Sequence, residues 1–137
     1  MRTTLATVLL SLTAATTAAA QMAATPPATS AIQVTKAVVA TGIENRTPVG
    51  TSETFPADVG TVYFFTVLEG DFGDVQIEHV WLRDGQEVAR VPLHARGPRW
   101  RTWSSKRIPP EWAGTWIARV ESGDGQVLSS VQFTVGS

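Results

Sequence analysis

The chain has 137 residues and no cysteine, and it is poor in tyrosine (one), methionine (two) and histidine (two). The missing thiols exclude disulfides, thiolate-bound zinc and cysteine nucleophiles together, so any folded unit rests on its hydrophobic core. His79 and His94, without H-x-H spacing, give little basis for a metal centre. No G-x-S-x-G elbow surrounds a serine, and Ser104-Ser105 falls in the middle of an extended segment. A paired-carboxylate glycosidase needs a deep cleft, which about 100 residues of sandwich rarely form. No catalytic residue, metal or cofactor is therefore expected. A dominant charge is lacking too. Eleven Lys+Arg against twelve Asp+Glu leave a net of −1, which offers no overall attraction to nucleic acid or anionic lipid.

The one long apolar run, LATVLLSLTAATTAAA (Leu5–Ala20), follows Met1-Arg2 and ends in a small-x-small pattern before Gln21. It is short and Thr/Ala-rich for a membrane span, which needs about twenty apolar residues. The expectation is a signal peptide over 1–20 and a periplasmic or secreted mature chain with no membrane span. Residues 21–33 are Ala, Thr, Ser and Pro without charge and read as a flexible leader. The domain is then 34–137.

Within that domain the apolar residues recur at every second position. Val127, Ser129, Val131, Phe133 and Val135 alternate with Leu128, Ser130, Gln132 and Thr134, the pattern of a half-buried strand. TWIARVES (Thr115–Ser122) alternates likewise. TVYFFTVL (Thr61–Leu68) is apolar on both faces and reads as a central strand. TKAVVATGI (Thr35–Ile43) reads as a first strand. Asp84-Gly85 and Asp124-Gly125 supply hairpin turns, and Pro109-Pro110 ends the tryptophan-rich strand. No useful length reads as an amphipathic helix. About seven strands at this spacing predict an all-β, single antiparallel β-sandwich. Trp81-Leu82-Arg83-Asp84-Gly85 resembles the third strand and turn of immunoglobulin-like domains, and Gly114-Thr115-Trp116 resembles the start of their sixth.

GIENRTPVG (Gly42–Gly50), Phe55, YFFT (Tyr63–Thr66), HVWLRDG (His79–Gly85), RWRTWSSK (Arg99–Lys106) and GTW (Gly114–Trp116) occur in an order that resembles the bacterial family of domain of unknown function 2914. The resemblance covers about Val34 to Val135. It implies an extracytoplasmic domain, exported or attached to membrane segments, and no activity, substrate or cofactor.

Arg99 to Trp116 holds four of the five tryptophans and four positive charges with one acid, Glu111. On an extended strand, residues three apart point to opposite faces. Trp100, Thr102, Ser104 and Lys106 fall on one face, and Arg99, Arg101, Trp103, Ser105 and Arg107 on the other. The face with three arginines is the expected solvent side. Arginine stems there either shield the indole or form, with it, a surface of aromatic plates and donors suited to glycans or acidic peptide. The candidate ligand-binding set is Arg99, Arg101, Trp103 and Lys106, with His79, Trp81 and Arg46 as adjuncts. His79 shares a face with Trp81, but the alternation fits either register. ENRTPVG (Glu44–Gly50) reads as a long polar loop that brings Arg46 to the strip if it folds over the strand ending at Lys106.

The expected function is a non-enzymatic module that binds an envelope glycan or protein partner. One alternative is a structural or assembly domain acting through a strand edge. Another is a periplasmic copper or zinc carrier using His79 and His94.

Overall fold

The structure, a computed structural model, describes residues 31–136. The expected signal peptide and all but the end of the leader lie outside the described residues. Ten strands follow in order: β1 (Gln33–Ala40), β2 (Gly42–Glu44), β3 (Thr47–Val49), β4 (Thr54–Phe55), β5 (Gly60–Glu69), β6 (Asp74–Arg83), β7 (Gln86–Arg96), β8 (Arg99–Ile108), β9 (Gly114–Ser122) and β10 (Val127–Val135). A 3-10 turn over Pro110–Trp112 joins β8 to β9. Among the described residues there is no α-helix, and no helix is long and apolar enough to cross a membrane.

One sheet has the order β1-β5-β8, the other β4-β10-β9-β6-β7, and β2-β3 form a separate ribbon. The pairings are antiparallel except that of β4 with β10. The seven long strands match the number expected; β2, β3 and β4 are added by short segments without a readable period. Both sheets contribute to a single buried cluster: Val39, Val62, Phe64 and Leu68 from one, Ile77, Trp81, Trp116, Ala118, Val120 and Phe133 from the other. Each large side chain moved out of water contributes about 1.5–3 kcal/mol, and with no disulfide among the described residues this burial carries the fold.

The turns follow their residues. Asp84 and Gly85 both adopt left-handed backbone (φ 48° and 81°), the mirror-image turn that matches strand twist. The second Asp-Gly pair differs. Only Gly125 is left-handed (φ 91°), and Ser122 N donates to Gln126 O at 2.8 Å across a wider loop. Where β7 hands over to β8, Gly97 N donates to Phe72 O (3.1 Å). A Cβ on Gly97 would lie 2.3 Å from that oxygen, so no other residue fits there.

Three expectations are corrected. The first strand does not run through to Ile43. It breaks at Thr41, whose N–H donates to Gly50 O at 3.2 Å, and the chain doubles back. ENRTPVG is accordingly no loop but the end of β2, the turn and β3 of the ribbon, with Ile43 opposite Pro48 and Glu44 opposite Thr47. The ordered domain starts before Val34: Ile32 is buried in the core and Gln33 pairs with Glu69.

Candidate functional site: the outer face of the three-stranded sheet

The alternation of β8 holds along its length. Thr102, Ser104 and Ile108 are buried, while Arg99, Arg101, Ser105 and Arg107 are exposed. Trp100 packs against the core cluster and edge-on to His94 (5.6 Å). Trp103 lies half-buried on the opposite face, stacked on Phe65 at 6.2 Å and 19°. The two indoles therefore leave the strand in opposite directions, as parity requires.

The outer face is laid out in rows by the register. Lys36, Val67 and Arg101 cross the three strands side by side, followed by Val38, Phe65 and Trp103. Phe65 and Val67 belong to this outer face and are nevertheless buried. The cover includes the β2-β3 ribbon: Thr47 and Pro48 line a groove of about 90 Å³ together with Lys36, Phe65, Val67, Arg99 and Arg101. The turn of the ribbon reaches the start of β8, where Asn45, Arg46, Arg99, Trp100 and Arg101 line a second, open concavity of about 380 Å³. Both turn residues are left-handed, Asn45 at φ 50° and Arg46 at φ 59°. That is ordinary for Asn and costly for Arg.

Lys36, Arg99 and Arg101 thus border the small apolar floor of Phe65 and Val67, and Arg46 faces Arg99 and Arg101 in the adjoining concavity. Glu69 approaches Arg99 (3.8 Å). Among the described residues, the side chains of Lys36, Arg46 and Arg101 have neither an ion-pair nor a hydrogen-bond partner. The arrangement offers guanidinium forks beside an aromatic surface, which suits planar anionic groups.

Of the predicted residues, Arg99, Arg101, Trp103 and Arg46 come together. Arg46 joins at the Arg99–Arg101 end of the strand. Lys106 does not belong to the group. It sits on the other face, where its Nζ lies 4.9 Å over the Trp112 ring and donates to Arg107 O at 3.3 Å. Sequence reasoning missed Lys36, Thr47, Pro48 and the Phe65–Val67 floor. The signal was present in Thr61–Leu68: a strand apolar on both faces needs a cover on both.

His79 and Trp81 are also removed from the surface set. Both are fully buried, because β6 turns that face onto Phe64, 4.5 Å from the imidazole and 6.1 Å from the indole. His79 is held from both sides. Thr66 Oγ1 donates to Thr102 O (3.3 Å) and lies 3.0 Å from Nε2; Ser104 Oγ lies 2.7 Å from Nδ1. The set closes with Nε2–H donating to Thr66 and the Ser104 hydroxyl donating to Nδ1. Burial lowers the imidazole pKa to about 3, so the ring is neutral. The Ser104–His79 contact has the spacing of a nucleophile and base, but both side chains lie inside the sandwich. The Trp81 Nε1–H has no partner among the described residues.

His79 and His94 do not converge. His79 faces Val91 across β6-β7, His94 faces Gln76, and His94 reaches Asp74 (3.3 Å) at the surface. No group of three or more His, Cys, Asp or Glu able to hold a metal occurs among the described residues.

The outer face of the other sheet is built differently. Arg90 hydrogen-bonds Glu78, Glu87 (2.6 Å) and Glu121 (3.1 Å), and Arg119 binds Glu121 (2.6 Å). Beneath this lattice lies the fully buried Val80, register neighbour of both arginines. Burial alone would raise the Glu121 pKa, but the bonds from Arg90 and Arg119 outweigh it and hold the carboxyl below its usual range.

The model of the family described as "Protein of unknown function (DUF2914)" matches residues 74–135, slightly under half of the chain. No curated protein matches. Among solved structures, the chain is similar to a β-glucosidase from Listeria innocua in complex with glucose, at 8% identity and a TM-score of 0.43 over 77% of this chain. A β-glucosidase from Kluyveromyces marxianus in complex with glucose gives 11% identity and 0.44 over 77%. The chain spans 16% and 14% of the length of those two structures, and at such scores the likeness carries no argument about function.

Proposed function

We propose that the chain is an exported, non-enzymatic binding module whose ligand is an anionic partner in the cell envelope, held on the outer face of the three-stranded sheet. One observation carries this reading. Arg46, Arg99 and Arg101 converge on one concavity, and neither Arg46 nor Arg101 has an acidic partner among the described residues. Three arginines elsewhere are saturated by contrast: Arg90 and Arg119 by carboxylates, Arg83 by the carbonyls of Trp112 (3.1 Å) and Ala113 (3.1 Å). Guanidinium is weakly hydrated and suited to a bidentate anion, and Arg99 and Arg101 border the apolar floor of Phe65 and Val67.

The remaining parts of the reading have their own support. The apolar run before Gln21 favours export. The strand order, three strands against a sheet in which β10, β9, β6 and β7 are neighbours, supports an immunoglobulin-like sandwich of the bacterial family. The burial of the Ser104–His79 pair supports a non-enzymatic role. The test is titration with polyglutamate and with polygalacturonate, followed by amide NMR. Binding should weaken about tenfold or more in the Arg46→Ala/Arg101→Ala double variant, with an unchanged melting temperature. Unchanged affinity of the double variant for both polymers would overturn the reading.

A further inference from the structure

The sandwich has four sheet edges, and three of them are blunted. β1 carries a register shift between Val34 and Lys36, and the segment after the ribbon bonds along it (Ser52 N to Val39 O, 3.2 Å). β7 contains Pro92 and a shift opposite Trp81 and Leu82. β4 is two residues long. These are the usual devices against edge pairing. β8 has none of them. It pairs with β5 through ten consecutive residues, from Gly60 opposite Ile108 to Glu69 opposite Arg99, without a shift. Its other side has no strand partner among the described residues. What guards it is charge alone.

That charge is uncompensated in a specific pattern. Facing the outer residues Arg99, Arg101, Trp103, Ser105 and Arg107, β5 supplies Glu69, Val67, Phe65, Tyr63 and Thr61. One acid stands opposite three arginines. A strand added at the free edge would place its own alternate side chains beside the same residues at about 5 Å, the distance at which opposite charges across strands stabilise. A second copy of β8 is a poor occupant. Centred on Trp103, the antiparallel pair sets Arg99 of each copy against Arg107 of the other, and like charges repel there.

Resting on the proposed binding role of this face, we infer that β8 takes an extended acidic protein segment as an added antiparallel strand. Its acids face Arg107 and Arg101, with an apolar residue facing Trp103 between them. The backbone ladder supplies affinity and the arginines supply selection and register.

The test uses the full chain and a capped seven-residue peptide with Glu, Thr, Val and Glu at alternate positions and Thr between them. Two further peptides carry N-methyl groups on one or the other set of alternate amides. Strand addition predicts that one methylated set binds about tenfold or more weakly while the other matches the parent. It also predicts slowed hydrogen exchange along β8, and about tenfold loss in Arg101→Ala and again in Arg107→Ala. If both methylated peptides bind as the parent does, or if polyglutamate binds and the peptide does not, strand addition is overturned and the anionic surface stands. If neither peptide, polyglutamate nor polygalacturonate binds, both proposals fall.

Discussion

The two outer faces of this sandwich use the same residue to opposite ends. On the five-stranded sheet, Arg90 bonds three carboxylates and Arg119 one, and together they roof Val80. On the three-stranded sheet, Arg101 and Arg46 line open concavities without an acidic partner among the described residues. The first arrangement is complete, so its charges act on stability. The second is incomplete within the chain, so its charges act on what comes from outside. Composition is blind to the distinction, since a near-neutral total does not say which cations have carboxylate partners.

The largest effect separating the faces is acid. His79 titrates at about 3 when folded, against an ordinary value of 6.5. The unfolded chain therefore takes up a proton first, and stability is complete above about 6.5 and declines as pH falls toward 3. The slope is about 1.4 kcal/mol per pH unit, on the order of 5 kcal/mol across the interval. Glu121, whose folded pKa is depressed, contributes stability above its unfolded value of 4.5 and loses it only below that. Polyanion binding on the three-stranded face should be unchanged between pH 6.5 and about 5, where the carboxylates of the added polymer stay ionised. Urea unfolding measured between pH 6.5 and 4.5 tests the histidine alone of these two groups. A flat profile there would remove His79 as the acid-sensitive element.

Next in size is removal of the carboxylate that both saturated arginines share. Glu121 is 4% exposed, and Glu121→Ala strips a partner from Arg90 and Arg119 above a buried valine. A loss of about 2–3 kcal/mol is expected, smaller than for a fully buried pair because Arg90 reaches water. For a domain of this size that lowers the melting temperature by roughly 10 °C or more. Polyglutamate affinity should not change. A melting temperature that stays within a degree or two would mean that the lattice is ornamental and that the contrast between the faces is not one of stability.

How much of this is legible in the residues depends on range. The period of two places Trp100 and Trp103 on opposite sides of β8 and marks β9 and β10, because parity is local. Asp84-Gly85 fixes its own turn for the same reason. Parity does not say what covers a face. Val80 alternates with His79 and Trp81, and all three are buried, because Arg90 from β7 and Arg119 from β9 close over the outer side; the alternation fits either register since both sides are covered. Lys106 has the right charge and the wrong parity for the patch; charge along the strand is not charge on a face. The groove under the ribbon needed a contact between residues 36, 47, 65 and 101, and no local pattern encodes a meeting at that range. Two apolar faces in Thr61–Leu68 imply a second cover without naming it.

The smallest effect is the sharpest, because it sets stability against binding at one residue. Arg46 holds φ 59° at the tip of the ribbon, a conformation that costs a side-chain-bearing residue about 1 kcal/mol and glycine almost nothing. Its side chain makes no ion pair or hydrogen bond among the described residues that would offset that cost. Arg46→Gly should therefore raise the domain's stability, by a few tenths to about 1 kcal/mol after the unfolded chain's added freedom is subtracted. The same change should weaken polyglutamate binding severalfold, by removing one of three guanidinium groups around the concavity. A strained residue that destabilises the fold is expected where the strain serves a site. If Arg46→Gly lowers the melting temperature and leaves binding intact, the arginine is holding the turn together, and the patch shrinks to β8 and Lys36.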